Sequence, residues 1–115
     1  MANFLSWKET RSRDQRAQDI KSELPKQIRN AKENTTGYSD TLQGIEPDDI
    51  QSLEELQRLP VLRKSDFIKR QGTKLLYGDF LAGKRKEDYI FQSPGPIYEP
   101  GFKNSDWWSL SRFLN

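Results

Sequence analysis

Cysteine and histidine are both missing from this 115-residue chain, and methionine occurs once. Their absence excludes disulfides, thiol catalysis, the usual zinc sites and any histidine general base. Apolar residues are scarce as well: 33% of the chain is hydrophobic against 31% charged, so the interior must be thin or completed by another chain. At this length the chain is one domain or part of one. The large apolar positions bunch after Phe67, which places most of the expected core in the C-terminal half. No apolar run approaches the length of a membrane span, and the N-terminus lacks the basic, apolar and small-residue order of a signal peptide. A membrane partner is therefore not expected, and a cytoplasmic protein is the simplest fit.

Charge of one sign is lacking too. The 19 basic and 17 acidic residues alternate along the chain and leave a net charge of +2, the pattern of a solvated surface. Lys84-Arg85-Lys86 is the one basic cluster, and Glu87 and Asp88 follow it at once, so nucleic acid is not an expected partner. The acid pairs Asp48/Asp49 and Glu54/Glu55 are sequence neighbours whose side chains diverge, which suits helix starts better than catalysis.

What is present reads mainly as helix. In residues 8–34, Ala17, Ile20, Leu24, Ile28 and Ala31 recur at three- and four-residue steps and form one narrow stripe. Pro25 leaves two arrangements open, a kinked long helix or a break with a second helix starting near Ser22 or Glu23. The stripe is either a docking surface for a second body or the inner face of an ordinary amphipathic helix. From Asn34 to Asp49 turn residues dominate, with Tyr38 and Leu42 one helical step apart and suited to anchor a short helical turn.

The most structured stretch runs from Gln51 to Phe67. Ser52 and Glu55 have the spacing of a capping box, in which the hydroxyl accepts the Glu55 N–H and the carboxylate reaches back to the Ser52 N–H. Leu53, Leu56 and Leu59 follow as an apolar stripe, Pro60 ends the helix, and Ser65 starts another. Leu53, Leu56, Leu59 and Val61 are expected to be buried in one helical core. Residues 75–83 then form a compact turn over that core, and Tyr89-Ile-Phe91 is the one convincing strand. The last helix is capped by Asn104 or Ser105. Trp107 and Trp108 stand about a hundred degrees apart on it, so one ring must reach another surface, and both are taken as interface residues. The apolar pattern runs to Asn115 without a stop signal, which predicts a continuing chain.

The phrase "SLEELQRLPVLRKSDF" over residues 52–67 resembles the corresponding segment of the phenylacetate-CoA ligase family, a branch of the adenylate-forming acyl-CoA synthetases. Upstream, Glu9-Thr10, Ala31-Lys-Glu-Asn34, Tyr38, Leu42 and Gly44-Ile-Glu-Pro-Asp-Asp-Ile50 resemble its opening elements in the same order. Downstream, residues 91–100 fall where the family has a Ser/Thr/Gly-rich phosphate loop. Ser93 and Gly95 are the counterparts there, while the Thr, the second Gly and the Lys of that loop are missing. The resemblance implies a whole enzyme that uses ATP, magnesium and coenzyme A to make an acyl or aryl thioester. This chain would be its N-terminal structural portion, inactive and without bound cofactor by itself. The fold implied is mainly α, a small helical N-terminal lobe with one short strand near residues 89–92, forming part of a larger α/β adenylate-forming domain. Three segments follow: the amphipathic helix of residues 1–34, short helices and turns over residues 35–88, and the strand, proline-rich loop and last helix of residues 89–115.

Pro94 and Pro96 flank Gly95 and remove backbone donors, whereas a phosphate cradle needs consecutive N–H groups. The stretch is thus a modified nucleotide or acyl loop, a stiff connector to the last helix, or a polyproline ligand. Partners are the remainder of the enzyme or a second subunit, including a second copy. The competing reading is a stand-alone helical protein–protein interaction module.

Overall fold

The computed structural model describes residues 6–74, 77–83 and 86–103. The chain opens with a 3₁₀ turn at Trp7–Thr10, followed by α1 (Arg13–Asn34) and α2 (Thr36–Thr41). Ser12 begins α1 with a reciprocal cap: its hydroxyl accepts the Gln15 N–H at 3.2 Å, and its own N–H is accepted by the Gln15 side chain at 2.9 Å. Pro25 lies inside α1, and the helix continues across it without a break, so the two-helix alternative falls away. The joint between α1 and α2 rests on Thr35. Its buried hydroxyl donates to the Ala31 carbonyl at 2.8 Å and accepts the Tyr38 N–H at 3.1 Å, so one oxygen ends α1 and caps α2.

The apolar stripe of α1 is buried over its C-terminal half. Ile28, Leu42 and the fully buried Ile50 form the core, with Leu24, Ala31, Tyr38, Ile45 and Leu59 packed around them. Among the described residues the core cluster therefore sits in the N-terminal half, with Tyr77 the buried apolar residue after Phe67; residues 75–76 and 104–115, which carry many of the apolar positions expected in the core, lie outside the described residues. Ala17, near the start of the stripe, is exposed. A 3₁₀ turn at Pro47–Asp49 carries Ile50 in against α1, and Lys32 Nζ donates to the Ile45 carbonyl across the same junction.

The cap at Ser52 is present, its hydroxyl accepting the Glu55 N–H at 3.2 Å. The return bond differs by one residue from the expected one: the Glu55 carboxylate accepts the Gln51 N–H at 2.6 Å. The helix this starts, α3 (Leu53–Leu56), is a single turn. One turn cannot bury a stripe, and Leu53 and Val61 are 59% and 81% exposed, with Leu56 at 36%. Of the four residues expected in the core, only Leu59 packs against it. The next helix, α4 (Lys64–Thr73), starts at Arg63, whose N–H is accepted by the Asp66 carboxylate at 2.9 Å; Ser65 lies inside the first turn instead of capping it.

Beyond α4 the backbone at Tyr77, Gly78 and Asp79 takes three consecutive left-handed conformations, with φ of 54°, 61° and 65°. Two of these residues carry side chains and cost backbone strain of about 1–3 kcal/mol each. The strand expected at residues 89–92 is β1 (Tyr89–Ser93), and it has a partner, β2 (Ile97–Gly101), in a two-stranded antiparallel sheet. Tyr89 pairs with Gly101 and Ser93 with Ile97. Residues 94–96 thus close a hairpin instead of leading to the last helix. The mainly α reading holds, with two strands in place of one.

Replacing Ile50 by alanine is expected to cost about 2–5 kcal/mol of unfolding free energy, whereas Leu56→Ala costs less than about 1 kcal/mol. Urea melts of both variants check this, and a larger loss at Leu56 than at Ile50 would invert the assignment of the core. Glu55 adds a pH dependence. Its pKa is held below the ordinary 4.5, chiefly by the Gln51 N–H and partly opposed by desolvation. A lowered folded-state pKa adds stability above the ordinary value and loses it as pH falls through the lowered one. The stability difference between the wild type and Glu55→Gln should therefore shrink as melts are repeated below pH 4.5; a difference independent of pH would show that the carboxylate charge has no part in the cap.

Candidate functional site

Arg70 and Gln71, adjacent on α4, organise everything on the far side of that helix. The Arg70 guanidinium donates to the Gly78 carbonyl at 2.8 Å and to Asp40 at 2.7 Å, and lies 5.5 Å from the centre of the Phe80 ring. It ties α2 and the left-handed turn to α4. Gln71 turns the other way, toward β2. Its NH₂ donates to the Tyr98 carbonyl at 2.9 Å and its oxygen accepts the Tyr98 N–H at 2.9 Å, so a side-chain amide pairs with β2 as a neighbouring strand would.

Phe80 completes the seam, with its ring 4.9 Å from Tyr38 and 4.7 Å from Phe67. It lies directly over Gly37, where a Cβ would come within 2.6 Å of the ring and 2.9 Å of the Asp79 carbonyl oxygen. Glycine at position 37 is what lets the turn settle onto α2.

These contacts leave a cleft of about 860 Å³ between the α1–α2 joint, α4, the left-handed turn and the hairpin. Its walls are mostly apolar, from Ala31, Phe67, Phe80 and Ile97. The polar groups it holds are largely committed: Thr35 to the helix joint and Gln71 to Tyr98. Tyr77 lines it as well. Its hydroxyl is buried beside the Glu87 carboxylate, and burial first, then that carboxylate, holds its pKa above the usual 10.0. The cleft can enclose an apolar or aromatic group, with the Ser93 hydroxyl and the Glu99 carboxylate at its hairpin wall. No group of metal-binding residues occurs among the described residues.

Of the residues singled out from the sequence, Ser93 lines this cleft as the last residue of β1. Gly95 does not. It sits in the hairpin turn with φ of 155°, where a Cβ would meet Ile68 at 3.2 Å and Ile97 at 3.3 Å. Trp107 and Trp108, with the helix assigned to them, lie outside the described residues. Sequence reasoning missed Arg70, Gln71 and Tyr77. Two polar residues in a row on a helix read as solvated surface, and nothing local marks Gln71 as the cap of a strand 27 positions away.

Replacing Gln71 by leucine leaves both Tyr98 backbone groups without their partner. An unpaired group of this kind costs about 1–3 kcal/mol, so amide exchange at Tyr98 should accelerate about tenfold to a hundredfold while exchange at Ile50 stays unchanged. Equal acceleration at both amides would mean that Gln71 supports the whole fold and not the hairpin alone.

No protein-family model matches the sequence, and no curated protein matches it. Among solved structures it is similar to 2-hydroxyisobutyryl-CoA ligase, crystallised in the postadenylation state in complex with 2-HIB-AMP. The TM-score is 0.74 at 23% sequence identity, over 88% of this chain. The chain spans 22% of the length of that ligase. At this identity the likeness is one of fold: these residues fold as a segment of an acyl-CoA ligase does.

Proposed function

We propose that this chain is the N-terminal structural portion of an adenylate-forming acyl- or aryl-CoA ligase of the phenylacetate-CoA ligase kind, inactive by itself. The observation that carries the reading is the fold likeness to a segment of a CoA ligase, to which the ordered motifs of residues 9–67 add the branch. In such an enzyme a carboxylic acid is activated by ATP with magnesium and passed from AMP to coenzyme A. The acid becomes a competent electrophile only once its oxygen belongs to a good leaving group, and the phosphate charge must be neutralised by metal and basic groups.

The contribution of this chain is scaffold. Its exposed Leu53, Leu56 and Val61 form an apolar surface suited to cover by the remainder of the enzyme or a second subunit. By the resemblance Ser93 and Gly95 would be the counterparts of the phosphate loop, but the hairpin turn 94–96 has prolines on both sides of Gly95 and offers one N–H where a cradle needs several. Nucleotide contacts would then come from other parts of the protein, in the cytoplasm where such substrates are found. The same exposed leucines and the proline-flanked turn also favour the second reading, an interaction module that has left ATP chemistry behind.

Calorimetric titration of the chain with magnesium-ATP is expected to show no binding. Micromolar affinity that disappears in Gly95→Val would make the hairpin turn a working phosphate site and overturn the scaffold reading.

A further inference from the structure

Among the described residues the hairpin has one closed edge and one open one. Tyr98 commits both backbone groups to the Gln71 amide, so both point away from β1. In an antiparallel pair, residues alternate between those bonded across the pair and those directed outward. The Gln92↔Tyr98 pair is therefore outward-directed, and so is Ile90↔Pro100, two positions along. On β2 this edge is closed twice: Gln71 caps Tyr98, and Pro100 has no N–H to offer. On β1 the outward groups belong to Ile90 and Gln92, and neither has a backbone partner among the described residues. Ile90 is also 50% exposed, as is Tyr89 beside it.

We propose that this edge of β1 pairs with the same edge of a second copy of the chain, antiparallel about a twofold axis at Phe91, making a four-stranded sheet across a dimer. The register follows from the open groups. With the axis at Phe91, Ile90 of each copy faces Gln92 of the other, and all the open groups of both residues are used, forming four hydrogen bonds. An axis at Ile90 would set Gln92 against Asp88, whose N–H is already given to the Gly101 carbonyl at 2.9 Å. An axis at Gln92 would set Ile90 against Pro94, which has no N–H. Charge agrees with the Phe91 axis: Asp88 faces Pro94, so no like charges are opposed across the seam. The ladder ends at both sides for the same reasons, the engaged Asp88 amide and Pro94. The contact is isologous, as a twofold dimer requires. It stands independently of the ligase reading.

The chain has no cysteine, so single-cysteine variants report the register directly. The twofold axis brings residue 91 opposite itself at a Cα separation of about 4.5 Å, within disulfide reach. Light scattering behind size exclusion should give twice the mass of the 115-residue chain. Under mild oxidation Phe91→Cys should cross-link at least tenfold faster than Ile90→Cys or Gln92→Cys. Ile90→Pro, which removes an outward N–H and leaves the β1–β2 bonds in place, should give the monomer mass with an unchanged far-ultraviolet circular dichroism spectrum. That variant carries the test if Phe91→Cys does not fold. A monomeric wild type at high concentration, faster cross-linking at position 90 or 92 than at 91, or a dimer that survives Ile90→Pro would each overturn the proposal; a monomer would leave the edge to a strand from elsewhere in a longer protein.

Discussion

The Arg70–Gln71 pair on α4 is the constraint on which the outer half of the molecule depends. Apolar contact alone would not hold that half, because Phe67 and Ile68 are the partly buried apolar residues of α4 and the hairpin faces are largely open. Arg70 holds the left-handed turn by its Gly78 carbonyl, and the turn in turn delivers Phe80 onto Gly37. The ion pair with Asp40 adds little by itself, since Asp40 is 59% exposed. The bond to the turn and the packing of the guanidinium on Phe80 matter more. Gln71 does the same for β2 with a neutral amide. Each bond is worth about 1 kcal/mol net, so the hairpin is held by specific polar geometry more than by buried area.

The result is a molecule with a small apolar core, an aromatic seam and a cleft between them. Ile28, Leu42 and Ile50 close the first, and Tyr38 belongs to both, packing on the core from one side and on Phe80 from the other. A displacement of α2 is therefore felt in the core and at the cleft together. The interior is as thin as the composition demands, and the apolar residues left outside it, on α3 and β1, are where further protein would add most burial.

Local, short-range features were the legible ones. The stripe through Leu24, Ile28 and Ala31, the hydroxyl cap at Ser52, the Tyr38–Leu42 step and the strand at Tyr89 each depend on neighbours a few positions away. The resemblance carried the larger frame, and the fold agrees with it at the level of a CoA-ligase segment. Tertiary placement was the part that failed. Leu53 and Leu56 have a core pattern on a helix too short to present one, and β2 was hidden because Pro96 and Pro100 read as loop, although an edge strand tolerates proline where its N–H would point outward. At the candidate site Ser93 was visible by position alone, while Gln71 and Tyr77 reach the cleft through contacts that no local pattern announces.

A sheet with two open edges is a polymerisation hazard, since every strand added presents a fresh template for the next. Gln71 and Pro100 act here as chain terminators. With β2 closed, a second copy that pairs on β1 presents only its own closed β2 edge, so growth halts after one addition and cannot run on into a fibre. A single glutamine on a helix thereby does for this protein what barrel closure does for larger sheets.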